Sequence, residues 1–216
     1  MGLRRIRHHA ICLFAVAGYP TFLCVALTLT ACGSLDTLKA RRRAREGNDL
    51  YRMADYRGAA GKYREALAID AEPPTAHLNL GFALLSLYNP ASADPADRAA
   101  ARGALAAVSQ HLARPPRDER ANGFRIKTFL RAAPHDEAIA RDAYRVFVDL
   151  LAKKPDDEEA KQYLVTLLSD TKGYARALEY FCPVIAKNPQ DLETMKVLAM
   201  VADKSDKVPE AVNWYR

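Results

Sequence analysis

The chain has 216 residues, half of them hydrophobic, 27% charged and 8% aromatic, enough for one ordinary domain or an elongated repeat array. Its formal net charge is +6, but residues 1–31 hold Arg4, Arg5 and Arg7 and no acid. Without them 29 basic residues face 26 acidic ones, a balance too small to indicate a nucleic-acid partner, which requires a clustered basic face.

In chain order, the first element is an export-type leader. Residues 1–9 are basic, and an apolar stretch runs from Ala10 to Ala31, interrupted by Gly18, Tyr19 and Pro20. Its second half, Phe22 to Thr30, has the length of a signal-peptide core. Left uncut, the whole stretch is long enough to span a bilayer, which takes roughly 20 residues. It closes on Leu29-Thr30-Ala31-Cys32-Gly33-Ser34, an aliphatic residue and two small ones before a cysteine. This resembles the lipobox of bacterial lipoproteins. Small residues let a peptidase cleft receive an extended backbone, and only a thiol can form the thioether to diacylglycerol.

The resemblance implies cleavage between Ala31 and Cys32, loss of residues 1–31 as a signal peptide, and an acylated Cys32 followed by a tether over residues 32–39. A single acyl chain binds membranes marginally, with an association constant of ~10⁴ per molar, whereas two or more hold stably. Gly33 and Ser34 follow the cysteine with no Asp, which by that family's sorting rules favours the outer membrane, facing the periplasm. An uncleaved signal-anchor is the alternative. Twin-arginine export through Arg4-Arg5 is another, although the surrounding residues match that motif poorly. Cys12 and Cys24 leave with the leader, so with Cys32 acylated Cys182 is the one free thiol. No internal disulfide can form, and no Cys or His pair stands at metal-ligand spacing.

The remainder repeats itself. Gly47 and Gly81, Pro155 and Pro189, Ala143 and Ala177, Phe147 and Phe181, Ala177 and Ala211, and Phe181 and Tyr215 share one interval. That interval, about 34 residues, marks repeat architectures. Gly47-Asn48-Asp49-Leu50-Tyr51, then Asp55-Tyr56, Ala59, Tyr63, Ala66 and Leu67, resembles the tetratricopeptide signature. In that family small residues let paired helices approach, aromatics fill the gap between hairpins, and proline ends the second helix. The resemblance covers about 40–90 and 142–216. It implies an all-α fold, an α-solenoid of helix-turn-helix repeats over residues 40–216 preceded by a lipoprotein signal peptide.

Asp70-Ala71-Glu72-Pro73-Pro74 closes the first unit, and Ala76 to Leu87 opens the second with Leu80, Gly81, Ala83 and Leu84 in frame. The region 89–135 is irregular. A helix is expected to start at Asp94, which can cap free amides, with Pro95 in the first helical position. It continues through Ala104, Leu105, Val108 and Leu112 to Pro115-Pro116, with about 11 residues inserted relative to the period. Arg117–Ala132 and Asp136–Ala152 form the next hairpin, with Phe124, Phe129 and Leu130 facing one way and Tyr144, Phe147, Leu150 and Leu151 the other.

The fourth unit carries Ala160, Tyr163, Leu164 and Leu167, then Tyr174, Ala177, Phe181 and Val184, with one extra residue in its turn at Lys172-Gly173. The fifth carries Leu192, Leu198, Val201, Ala202, Ala211 and Tyr215, and stops at Arg216. Because arrays need a polar terminal cap, Val212, Trp214 and Tyr215 suggest a fragment of a longer array. A frayed last helix is the alternative.

Catalytic signatures are missing. There is no phosphate-binding glycine loop, zinc helix motif or nucleophile elbow. His77, His111 and His135 are read as isolated, each in a different hairpin, and the acidic run after Pro155 suits a helix start. The chain is expected not to be an enzyme and to need no cofactor, metal or small-molecule substrate. Cys182-Pro183 sits mid-helix, where proline removes a hydrogen bond at a cost of ~3 kcal/mol; a structural role is expected. Lys39, Arg41, Arg42, Arg43 and Arg45 form the strongest charge cluster, read either as a solvated helix face or as a contact with anionic headgroups.

The partners implied are other proteins or peptides, plus the membrane through acyl chains on Cys32. First helices of stacked hairpins line a concave side, and in peptide-binding relatives that grip a terminal carboxylate, asparagines and basic residues project into it. Asn48 and Asn79 stand at two such asparagine positions, with Arg52 on the same side; Ala44 stands where the first clamp lysine is expected. Asn48, Arg52, Asn79, Phe82 and Tyr163 are therefore the candidate partner-binding groove. Three readings stay open: an envelope scaffold for pilus, secretion or outer-membrane assembly, an anchored regulator of a cell-wall enzyme, and the non-catalytic N-terminal part of a longer enzyme.

Overall fold

The structure is a computed structural model that describes residues 20–70, 75–92, 94–116 and 118–215, with side chains described from residue 35 onward. Residues 1–19 of the leader, the side chains of Ala31 and Cys32, and the Pro73-Pro74 stop of the first unit lie outside the described residues. All regular elements among the described residues are helical. They are α1 (Pro20–Arg52), α2 (Tyr56–Ile69), α3 (Ala76–Leu87), α4 (Pro95–Leu112), α5 (Glu119–Ala132), α6 (Glu137–Lys153), α7 (Glu158–Asp170), α8 (Tyr174–Lys187), α9 (Leu192–Lys204) and α10 (Val208–Trp214), with a 3₁₀ turn at Ala133–His135 between α5 and α6. Among the described residues no helix is long and apolar enough to cross a membrane. The backbone of residues 32–39 is part of α1.

Aspartates start most of these helices. Asp55, Asp118, Asp157 and Asp191 each accept from the backbone N–H three residues on, Asp94 accepts from Ala96, and Asp136 from both Ala138 and Ile139. Each such cap stabilises its helix by about 1 kcal/mol relative to alanine. The cap of α5 shortens that helix from the expected Arg117 start to Glu119, because Asp118 must leave helical geometry to offer its carboxylate.

Each helix packs against its neighbours in sequence, and α1 also touches α3, α5 touches α7, and α7 touches α9. The second helices share one device, an alanine followed four residues later by a large side chain on the same face. Ala59 and Tyr63 of α2, Ala143 and Phe147 of α6, and Ala177 and Phe181 of α8 are all buried. In α4 the equivalent buried pair is Ala104 and Val108, further along than one period beyond the α2 pair; the excess falls around the long α3–α4 connection. At the last hairpin the pair is Ala211 of α10 and Tyr215 just past its end, and Tyr215 is 65% exposed. Phe147 is covered by the Tyr163 ring of α7, with centroids 5.8 Å apart. First helices answer with Leu164, Leu167 and Leu168 in α7 and Leu198, Val201 and Ala202 in α9, all buried and each one repeat period from its counterpart.

Three expectations are corrected. The turn at Lys172-Gly173 has no extra residue. Residues 171–173, 53–55 and 205–207 are equal three-residue turns, each with a left-handed middle residue, at Lys172 (φ 51°), Ala54 (φ 61°) and Asp206 (φ 60°). Phe124 and Phe129 do not face one way. They are five residues and about 140° apart on a helix, so Phe124 packs on Phe82 while Phe129 joins Phe147. Nor are the histidines isolated in different hairpins: His77 and His111 share the α3–α4 hairpin, and His111 Nε2 lies 2.8 Å from Asp118 Oδ2 across the α4–α5 connection.

Candidate functional site

The α1–α2 turn sets up the site. Ala54 reverses the chain, Asp55 caps α2, and the returning helix lays Tyr63 across α1 at Gly47. A Cβ on Gly47 would stand 2.8 Å from the Tyr63 ring, so only glycine leaves the ring room. From there the Tyr63 hydroxyl donates to Asn48 Oδ1 at 2.8 Å. Burial pushes the Tyr63 phenol up to about 12, so it remains a donor at any physiological pH.

Asn79 of α3 donates its amide to the same Asn48 oxygen at 3.0 Å. The two asparagines are thus coupled across neighbouring hairpins, and the Asn48 carbonyl is fully used. Its amide N–H₂ is left without a partner among the described residues.

Around this pair lies a concavity of about 320 Å³, lined by Asn48, Tyr51 and Arg52 of α1, Tyr63 of α2, Asn79 and Phe82 of α3, and Arg120 of α5. Phe82 forms its apolar wall, braced by Phe124 at 4.4 Å between centroids. The Arg120 guanidinium lies 5.6 Å from the Phe82 centroid, within cation–π range. Arg52 is paired with Asp49 at 2.6 Å, both of them exposed. The lining thus combines two guanidinium groups, two amides, two phenols and one aromatic wall, a surface suited to an extended polar segment carrying negative charge.

The structure thereby brings together four of the five residues that the sequence singles out. Tyr163 is elsewhere: it lies in α7 against Phe147, and its hydroxyl donates to Glu159.

No protein-family model matches the chain. No curated protein matches it either. Among solved structures, a tetratricopeptide repeat protein from Parabacteroides merdae is similar over 82% of this chain and 77% of that one, at 15% identity and a TM-score of 0.33.

Three lining residues escape the sequence reading. Tyr51 and Tyr63 belong to the quoted signature but read as packing aromatics. Arg120 carries no signal of its own, because it lies in the irregular region, where no repeat frame assigns it a face.

Elsewhere, charge serves helix starts. Burial alone would push the Asp136 carboxyl up, yet Arg102, with bonds of 2.7 and 3.0 Å, and the backbone amides of α6 outweigh it and hold the carboxyl below its ordinary value. The Ala121 amide and then His111 do the same for Asp118. Burial lowers His77, helped by Arg114 and His111. Among the described residues no cluster of His, Cys, Asp or Glu could hold a metal ion.

Proposed function

We propose that this chain is a non-catalytic protein-interaction module, a stacked array of helical hairpins that captures an acidic peptide segment or chain terminus in the concavity between α1, α3 and α5. The observation that carries this reading is the joint lining by Asn48, Arg52, Asn79, Phe82 and Arg120, drawn from three hairpins. A carboxylate can take charge-assisted bonds from Arg52 and Arg120 and a further bond from the spare Asn48 amide. An apolar side chain beside it can rest on Phe82.

The fixed repeat register and its buried alanine–aromatic pairs support stacking into a solenoid, since no single hairpin can bury its own apolar face. The lipobox-like Leu29–Cys32 supports anchoring: a periplasmic lipoprotein, cleaved before Cys32, acylated there and held at the outer membrane. Together these describe a tethered scaffold that gathers partner proteins in envelope assembly, pilus formation or secretion.

The test is fluorescence anisotropy with labelled acidic peptides, each made with a free C-terminal carboxylate and as the amide. Arg120→Ala and Asn48→Ala are expected to weaken binding of the free acid about ten-fold each, as loss of a charge-assisted bond of about 1.5 kcal/mol would. Equal affinity for free acid and amide, with both variants binding like wild type, would remove the concavity from the function.

A further inference from the structure

We infer that the middle turns of α1, residues 35–45, form a membrane-facing surface that lies along an anionic phospholipid bilayer. Leu35 and Leu38 are 54% and 61% exposed, and Arg41, Arg42 and Arg45 are exposed beside them. At 100° per residue these five fall within an arc of about 120°. The arc is centred opposite Ala40 and Gly47, the buried positions through which α1 meets the rest of the fold. Two large apolar side chains and three arginines therefore share the side of this segment turned away from the fold, with the exposed Asp36 and Lys39 on its flank.

The charges on that face are available. Arg41 and Arg45 have no ion pair among the described residues. Arg42 meets Glu46 at 3.3 Å, but its side chain is 83% exposed. Of the nearby carboxylates, Asp36 lies on the flank with Lys39, Glu46 stands about 20° outside the Leu35 edge of the arc and is shared with Arg43 and with Lys62 of α2, and Asp49, one turn past Arg45 on the same side, is paired with Arg52. A basic side chain at an anionic surface raises affinity about five-fold. Leucines among arginines on one helix face suit the boundary between headgroups and acyl chains.

Geometry favours a helix lying flat. A helix rising straight from the surface at Cys32 would carry Arg45 about 20 Å away, past a screening length of about 8 Å at physiological salt. A helix lying along the surface brings all three arginines within reach and presents both leucines. The charge complementarity thus commits the face to anionic lipid, and it fixes how the array is held: the concavity-lining end of α1 follows directly on the bound turns.

This inference rests on the membrane-anchored reading of residues 1–32, and the experiment separates the two. The full chain carrying Leu38→Trp is reconstituted into vesicles of brominated phosphatidylcholine, alone or with about one third brominated phosphatidylglycerol. Flotation with neutral vesicles reports the anchor. Quenching of the introduced indole, above the Trp214 background of the unsubstituted chain, reports the face. Quenching is expected to be at least two-fold stronger in anionic than in neutral vesicles, and to lose that difference in ~1 M salt or on adding Arg41→Gln, Arg42→Gln and Arg45→Gln. Flotation with equal quenching in both vesicles, or with quenching indifferent to the three glutamines, overturns the membrane-facing surface and leaves the anchor standing. Flotation with neither vesicle overturns both.

Discussion

Gly47 and Tyr63 together show how one missing methyl group shapes the concavity around Asn48. Glycine inside a helix costs about 1 kcal/mol relative to alanine, so a purely local view makes Gly47→Ala stabilising. The buried Tyr63 ring reverses the sign, because a Cβ at 2.8 Å forces the ring to shift away from α1 and off its bond to Asn48. Such overpacking costs about 1–3 kcal/mol. Gly47→Ala is expected to be net destabilising by about 1 kcal/mol in urea titration and to weaken peptide capture, since Asn48 loses a bond that orients it. Tyr63→Phe isolates the second effect. It keeps the packing and deletes only the hydroxyl bond to Asn48, so stability should fall by about 1 kcal/mol and binding should weaken alongside. Unchanged binding by Tyr63→Phe would mean that Asn48 does not act through that bond.

At the scale of the element, the three equal turns carry the instructive strain. A non-glycine residue in the left-handed region costs about 1–2 kcal/mol, and this chain places Ala54, Lys172 and Asp206 there. Lys172 and Asp206 draw partial compensation from each other, with Nζ 2.7 Å from Oδ2. Ala54 has no side chain with which to compensate. Ala54→Gly relieves the backbone in the fold while giving the unfolded chain more freedom, and the first effect is the larger. It is expected to raise stability by about 0.5 kcal/mol and Tm by about 1–2 °C, read by thermal unfolding. A lower Tm would show that the turn is not held in the left-handed region in solution. In α8 the helix runs through Pro183 at the expected loss of one backbone bond. Cys182 beside it is exposed.

At the scale of the whole molecule, acid acts on helix starts throughout the chain. Asp118, Asp136 and Asp191 are all held below the ordinary carboxylate value. Between the folded and unfolded pKa values the unfolded chain binds more protons, so their contribution is complete above about pH 4 and is lost as pH falls through the folded values. His77, lowered by burial, has the same sign over a higher window. Its contribution is complete well above about pH 6.5 and declines below it. Tm is therefore expected to fall slightly between about pH 7 and 5 and steeply below about pH 4. His77→Gln should remove the shallow part and Asp136→Asn should reduce the steep part. A profile flat down to about pH 3 would contradict the cap electrostatics.

Helix positions can be read directly from the chain because their causes are local. Asp94-Pro95 starts α4 where capping chemistry puts it, Ala76 to Leu87 forms α3 with the expected ends, and the spacing of Ala177 and Phe181 repeats that of Ala143 and Phe147. A residue's face on a helix follows from its neighbours in sequence once the frame is known. Where the frame slips, as between Leu87 and Glu119, the chain still shows the helices but not their rotation. Local pattern therefore puts Phe124 on the wrong side and gives Arg120 no face at all.

The order of helices, the Asp94 cap of α4 and the alanine–aromatic pairing were determined by the sequence alone, because each depends on contacts a few residues apart or on a fixed repeat. Only the tertiary structure decided that Asn48 and Asn79 would share one oxygen, that Tyr63 would complete them, that Arg120 would cross an inserted segment to reach Phe82, and that Tyr163 would lie apart. Those outcomes depend on how three hairpins rotate against one another, and that rotation is set by the sum of many packing contacts rather than by any one stretch of chain.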